Sequence, residues 1–244
     1  MTPLAEADVL VVVPALNEEA TIGAVVGDLV AAGLKVLVVS DGSTDRTAEI
    51  SRSRGAAVLE LPLNLGVGGA LRAGFRQAVA RGYRGVIQVD ADGQHPVSGI
   101  RNLIDEHNRS GAHFVLGSRF LSEKSTMDVG LVRRLTMKVL GASASRATGI
   151  KITDSTSGFR LICEPLLGAF AESFPTYFLG DTYEALVSAG RAGYVVREIP
   201  AALAPRQAGT SSASPVQAAK FTLKSLSLAL LHIHFPIRPA DDPR

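Results

Sequence analysis

Val86-Ile87-Gln88-Val89-Asp90-Ala91-Asp92-Gly93-Gln94-His95-Pro96 decides how the rest of the chain is read. Its β-branched apolar start reads as a buried strand, which stops at two carboxylates one residue apart. In an open α/β sheet, ligands bind at the carboxyl ends of strands. Asp90 and Asp92 there offer hard oxygen ligands, suited to Mg²⁺ or Mn²⁺ carrying phosphate oxygens. Gly93 permits a sharp turn and Pro96 opens the next helix. Turn-forming aspartates at a strand end have the same spacing, so the neighbouring segments must decide between the two readings.

Upstream, Val9-Leu10-Val11-Val12-Val13 is a continuous apolar run, as expected of a strand buried on both faces. It ends at Pro14-Ala15-Leu16-Asn17-Glu18-Glu19, where Asn17 is expected to cap a helix with an acidic first turn. Ile22, Val25, Val26, Leu29 and Val30 mark that helix, with Gly33 at its C′ position. A second run, Val36 to Val39, ends at Ser40-Asp41-Gly42-Ser43-Thr44-Asp45. Ser43 and Asp45 need be no more than caps. Asp41 stands ahead of the cap at a strand tip, where an acid can accept hydrogen bonds from ribose or base.

A third strand near Ala57–Leu61 precedes Asn64-Leu65-Gly66-Val67-Gly68-Gly69-Ala70, which opens a helix through Leu71, Phe75, Ala78 and Val79. The glycines fail the dinucleotide fingerprint, because position 71 is leucine and the stretch follows the third strand. A helix start placing Gly68 beside a phosphate or sugar is more economical. No Gly-X4-Gly-Lys-Ser/Thr loop occurs.

Downstream, a helix is expected from about Val97 to Arg109, then a strand, His113 to Ser118, with Arg119 at its tip. That arginine can clamp an anion in bidentate fashion or form an ion pair. Alternating strands and helices indicate a mostly parallel sheet. A helix is expected between Met127 and Gly149, a polar turn at Asp154–Arg160, and a helix opened by Asp181-Thr182-Tyr183-Glu184. Tyr194 to Pro200 alternates like a strand exposed on one side, and Pro205–Ser212 reads as a loop.

At 244 residues, one large α/β domain with a modest extension is expected. The chain has 25 basic and 23 acidic residues, so no global field argues for nucleic acid. Its 46% hydrophobic content and mean hydropathy of +0.22 are ample for a core and slightly rich for a purely soluble enzyme. A single cysteine, Cys163, excludes an internal disulfide and fits a reducing compartment. No signal peptide is read at the start, and no apolar run reaches the roughly 18–20 residues of a membrane span.

In this order the motifs resemble the family-two glycosyltransferases with a GT-A fold, most closely the polyprenyl-phosphate (dolichyl-phosphate) sugar synthase-like branch. The resemblance is carried by Val13–Glu19, Asp41–Asp45, Asn64–Ala70, Asp90–His95, Gly117-Ser118-Arg119, Ser157-Gly158-Phe159-Arg160 and Arg206–Ser211, spanning about residues 8 to 212. It implies a GT-A domain over 1–212: a Rossmann-like, mostly parallel sheet flanked by helices. It implies that Pro14, Asn17, Glu18 and Asp41 line the pocket of a UDP- or GDP-sugar. Asp90 and Asp92, with Gln94 nearby, would hold Mn²⁺ or Mg²⁺ on the donor diphosphate. Arg119, Arg133 and Arg206 would meet phosphates of acceptor or donor. Two departures stand out. Asp181–Glu184 differs from the Phe-rich segment usual before the matching Glu, and the two- or four-helix membrane extensions of some relatives are missing.

The implied reaction is metal-dependent inverting transfer of a sugar, with a polyprenyl phosphate at the membrane surface as acceptor. A hydroxyl acceptor would need a general base, for which Asp181 or Glu184 is the candidate; a phosphate acceptor is already anionic and needs arginines instead. A catalytically silent nucleotide-binding subunit of a membrane glycosylation complex is the non-enzymatic alternative. A nucleotidyltransferase would show an Arg-containing glycine loop after the first strand, and Pro14–Glu19 is not one.

Composition shifts at 213–244. Val216, Ala219, Phe221, Leu223, Leu226, Leu230 and Ile233 accompany Lys220 and Lys224, and Pro236 ends the run. An amphipathic helix and tail are expected, either packed on the enzyme or a partner, or lying in the membrane interface. The expected location is cytoplasmic, with peripheral attachment to the inner face of the cell membrane as the second reading of that helix.

Overall fold

The computed structural model describes residues 2–121, 131–174, 181–201 and 235–241, with backbone alone for 131–135 and 181. Seven strands form one sheet: β1 (Val9–Ala15), β2 (Lys35–Asp41), β3 (Ala57–Leu61), β4 (Gly85–Gln88), β5 (Phe114–Ser118), β6 (Arg160–Cys163) and β7 (Val196–Pro200), in the order β3-β2-β1-β4-β6-β5-β7. β6 runs antiparallel to β4 and β5, and every other pairing is parallel. The helices are α1 (Ile22–Ala31), α2 (Thr47–Ser53), α3 (Gly66–Ala80), α4 (Ser98–Ser110), α5 (Leu131–Thr148), α6 (Leu166–Glu172) and α7 (Asp181–Arg191).

The period-2 geometry of a strand explains why the apolar runs are continuous. Leu10 and Val12 of β1 join Leu37, Val39, Leu71 and Phe75 on one face. Val9, Val11 and Val13 join Ile22, Leu29, Leu103 and Phe159 on the other. Burying such side chains contributes about 1.5–3 kcal/mol each, so both faces drive the sheet into the middle of the molecule. β7 lies at the sheet's edge and is only partly buried beyond Val196, which matches its alternating sequence.

Chain direction creates the crevice. After β1 the chain winds outward through β2 and β3, then α3 carries it back to place β4 on the other side of β1. This is a topological switch point. β4 pairs with β1 only as far as Val12↔Gln88, while β1 continues to Ala15. By strand alternation Pro14 faces the side where β4 has stopped, so its missing N–H leaves no ladder bond unmade.

One local expectation is corrected. Asn17 does not cap α1: the N-cap is Thr21, and the first helical turn carries no acid. Asn17 instead adopts φ 54° and turns its side chain to the neighbouring loop. Ala32 caps α1, and Gly33 follows at φ 81°, as its C′ role requires. At the other end, residues 235–241 return to the body. Ile237 and Ala240 pack on the core, Ala240 N–H donates to the Ala192 carbonyl (2.9 Å), and Tyr194 Oη–H donates to the Arg238 carbonyl (3.0 Å). The expected amphipathic helix from Pro215 to Phe235 lies outside the described residues, apart from Phe235 itself.

Candidate active site

Three loops meet at the carboxyl edge of β1, β2 and β4. The loop after β1 is laced to the loop after β2. Thr44 N–H donates to Asn17 Oδ1 (2.8 Å), Asn17 N–H to Ser43 Oγ (3.1 Å), Glu18 N–H to Thr47 Oγ1 (2.8 Å) and Glu19 N–H to Asp45 Oδ2 (3.1 Å). Asp45 is thus a lacing residue rather than only a cap. Burial pushes its carboxyl up, but donors from Thr47 and Glu19 outweigh this and hold it below the usual range. The Glu18 carboxylate accepts from Thr21 Oγ1 (3.0 Å). Asn17 and Glu18 are thus fixed against the loop after β2, and Pro14 precedes them at the end of β1.

Asp41 forms the floor. Its carboxylate is 3% exposed and accepts from Leu65 N–H (2.7 Å), fastening the start of α3, with Gly68 in its first turn, to the tip of β2. Gly42 (φ 71°) lets this happen, because a Cβ there would meet the backbone of Leu63 and Asn64 at 2.8–2.9 Å. Burial raises the Asp41 pKa above the ordinary carboxylate value, and the N–H groups of Leu65 and Gly66 offset it only in part.

Asp90 and Asp92 follow the end of β4. Gln94 N–H donates to Asp92 Oδ1 (3.1 Å), so Gln94 reaches the pair through its backbone. His95 folds back: its Nδ1 accepts from Asp90 N–H (3.1 Å), which puts its proton on Nε2, 3.8 Å from Asp90 Oδ2. The His95 ring leans on Phe159, with ring centroids 5.1 Å apart. Gly158 lies against the carboxylate itself, and a Cβ there would sit 2.4 Å from Asp90 Oδ2. No cluster of three or more His, Cys, Asp or Glu suited to a metal occurs among the described residues. Two carboxylates fit a hard divalent ion that keeps waters and takes its remaining oxygens from a diphosphate.

Of the two roles open to Arg119, an anion clamp or an ion pair, the structure contains the ion pair. Its Nε and Nη2 bind Asp154 in bidentate fashion (2.6 and 2.7 Å), and Nη2 also donates to Thr156 Oγ1 (2.9 Å). Burial lowers its pKa, but Asp154 and, at longer range, Asp90 more than compensate and raise it. Asp154 is held in turn by Glu198 of β7, whose carboxylate accepts from the backbone N–H groups of Thr153 and Asp154 (2.9 and 2.8 Å). Arg119 is thus a positive charge fixed at the rim rather than an open fork.

Glu184 is buried in the first turn of α7, which begins at Asp181. Arg133 lies on α5 near its start. The side chains of Asp181 and Arg133, and all of Arg206, fall outside the described residues. Sequence reading missed Gln88, Arg160, Asp154 and Glu198 as site residues. The available signal was a polar residue inside an apolar strand, as Gln88 and Arg160 are, since such a residue must find a partner.

A family model, "Glycosyl transferase family 2", matches residues 10–168. The dolichyl-phosphate hexose transferase of Haloferax volcanii is 31% identical over 202 residues, covering 82% of this chain and 84% of its own. The polyprenol monophosphomannose synthase of Mycolicibacterium smegmatis is 28% identical over 218 residues, covering 84% and 80%. Among solved structures, glucosyl-3-phosphoglycerate synthase from Mycobacterium tuberculosis, crystallised with Mn²⁺, UDP and glucosyl-3-phosphoglycerate, superposes with a TM-score of 0.68. It is 22% identical, and the match covers 93% of this chain and 81% of that one. The sheet order and flanking helices are those of the GT-A glycosyltransferases. With the family model spanning the crevice from β1 through the two aspartates to β6, this chain is a glycosyltransferase and belongs to glycosyl transferase family 2.

Proposed function

We propose that the protein transfers a sugar from a UDP- or GDP-sugar to a polyprenyl phosphate, by metal-dependent inverting displacement at a membrane surface. The observation that carries this reading is the convergence of Asp41, Asp90 and Asp92 at the switch point between β1 and β4. Asp41 and the Asn17–Glu18 wall would receive the nucleoside. Asp90 and Asp92 would hold Mn²⁺ or Mg²⁺, which supplies Lewis-acid stabilisation of the departing diphosphate when bound. Arg119 is paired with Asp154, so its assignment to phosphate rests on its match to the family pattern rather than on free charge. Arg133 and Arg206 are assigned to phosphate by their match to the family pattern. A phosphate acceptor is already anionic and needs no base; Asp181 or Glu184 would serve only for a hydroxyl acceptor. Support for a lipid acceptor comes from the relatives, whose names specify dolichyl phosphate and polyprenol monophosphomannose.

The test is direct. Purified protein is incubated with Mn²⁺, UDP- or GDP-sugars and undecaprenyl phosphate in detergent, and organic-phase product is measured. Product that requires metal and is lost in Asp92→Ala supports the reading; a water-soluble glycoside instead identifies a hydroxyl acceptor. No turnover with any donor leaves the silent-subunit reading.

Membrane contact is proposed through the segment Pro215 to Phe235, with Lys220 and Lys224 against anionic headgroups and the leucines in the acyl boundary. No helix among the described residues is long and apolar enough to cross a membrane. Flotation with anionic vesicles, weakened by Lys220→Glu with Lys224→Glu, is the expected result. Protein that ignores such vesicles leaves the helix packed on the enzyme or a partner.

A further inference from the structure

Gln88 is a polar side chain in a central strand, 1% exposed, two residues ahead of Asp90. Beside it on β6 lies Arg160, 0% exposed, and Arg160 Nε donates to Gln88 Oε1 at 2.7 Å. A guanidinium can only donate, so the amide has one orientation: oxygen toward Arg160, nitrogen toward Asp90. Gln88 Nε2 then donates to Asp90 Oδ1 at 3.3 Å. Arg160 is itself steadied over the Phe114 ring (5.9 Å to its centroid) and donates from Nη1 to the Thr182 carbonyl at the start of α7 (3.4 Å).

We infer that Gln88, oriented by Arg160, is a positioning residue that sets Asp90 for divalent-metal binding. This rests on the reading of Asp90 and Asp92 as metal carboxylates. The physical argument has three parts. A donor on Oδ1 fixes the rotation of the carboxylate. His95 and Gly158 bound the same group on its other sides, so the amide completes a cradle rather than acting alone. The cradle is also joined to the helix that opens with Asp181, because a single guanidinium bonds both the Thr182 carbonyl and Gln88. Partners of metal ligands typically contribute 10- to 100-fold to metal affinity.

The test reads Mn²⁺ binding in the presence of UDP, by the electron-spin-resonance signal of free Mn²⁺, with melting of the metal-free protein as a check on folding. Gln88→Met removes the donor at similar length. Gln88→Glu keeps an acceptor for Arg160 but turns an oxygen toward Asp90. The expected result is Mn²⁺ binding weakened roughly tenfold in Gln88→Met and more in Gln88→Glu, with UDP binding in chelator unchanged. Because Gln88→Glu retains the Arg160 contact, it provides the measurement if Gln88→Met does not fold. Either folded variant binding Mn²⁺ within about twofold of wild type, while Asp92→Ala binds none, overturns the role of Gln88 and leaves the metal site standing. Wild-type protein that binds no Mn²⁺ with UDP overturns the metal reading itself, and the inference with it.

Discussion

Gly158→Ala perturbs the site by one methyl group. The new Cβ would lie 2.4 Å from Asp90 Oδ2 and 2.6 Å from Oδ1, against the 3.0 Å that Cβ atoms keep in folded proteins. Gly158 does not have a left-handed φ, so alanine carries no backbone penalty there. The unfolded chain even loses entropy, a gain of about 0.4–1 kcal/mol. Either the carboxylate or the strand must retreat by roughly 0.6 Å, beyond the ~0.5 Å within which a functional group must be held. Overpacking costs about 1–3 kcal/mol, so net destabilisation of about 1–2 kcal/mol and a Tm drop of roughly 2–8 °C are expected. Activity should suffer more than stability, by about 10- to 100-fold in kcat/KM, since misplacement near 1 Å costs up to about 100-fold. The assay is initial-rate kinetics at varied Mn²⁺, alongside melting of the metal-free protein. Wild-type kinetics and Mn²⁺ dependence in a folded Gly158→Ala protein would refute the placement of Asp90 in the metal site.

Asp154→Ala leaves Arg119 without its bidentate partner, and should cost about 3–5 kcal/mol by urea unfolding; a loss below about 1 kcal/mol would show that the pair is not built as described. Asp41 has a raised folded pKa, so its contribution to stability is full below the ordinary carboxylate value and is lost as pH rises through the raised one. Asp41→Asn should therefore gain stability relative to wild type as pH rises above the ordinary carboxylate value, while weakening UDP-sugar binding about tenfold or more; a difference in Tm that does not grow with pH contradicts this. Cys163 is 2% exposed and its thiol is pushed up to about 12 by burial. It should resist a thiol reagent at pH 8 until the protein unfolds, and rapid labelling of native protein would count against the burial of β6.

Most of the frame was legible because it depends on local pattern. Apolar runs at Val9–Val13 and Val36–Val39 are short and β-branched, as strands buried on both faces should be, and Ala57–Leu61 falls where β3 lies. The carboxylates Asp41 and Asp90 mark strand ends because burying an acid any deeper in the sheet is too costly. What the chain did not disclose depends on residues distant in sequence. Arg119 could be read as a clamp or an ion pair, and its partner stayed hidden because Asp154 is 35 residues away and is set in place by Glu198, further still. Asn17 reads as a cap because nothing local announces that Thr44 N–H will take its oxygen. The antiparallel run of β6 was equally hidden: a four-residue strand, Arg160–Cys163, carries no information on direction, yet this one brings Arg160 beside Gln88.

The return of residues 235–241 has a practical consequence. Ala201 sits beside Ser118 at the carboxyl edge of the sheet, and residues 235–241 sit near Ala192 and Tyr194, ahead of the first residue of β7. The two attachment points are thus separated by the length of β7, about 16 Å at strand rise. Ala201 and residues 237–240 are both held on the body, so the sequence that carries Lys220 and Lys224 is fixed at its two ends. Truncation before Pro215 would also strip away Ile237, Ala240 and the Arg238–Glu172 ion pair (3.2 Å), and so loosen α6 and α7 along with any attachment. Charge reversal at Lys220 and Lys224 leaves that clasp closed and isolates the role of the stretch between.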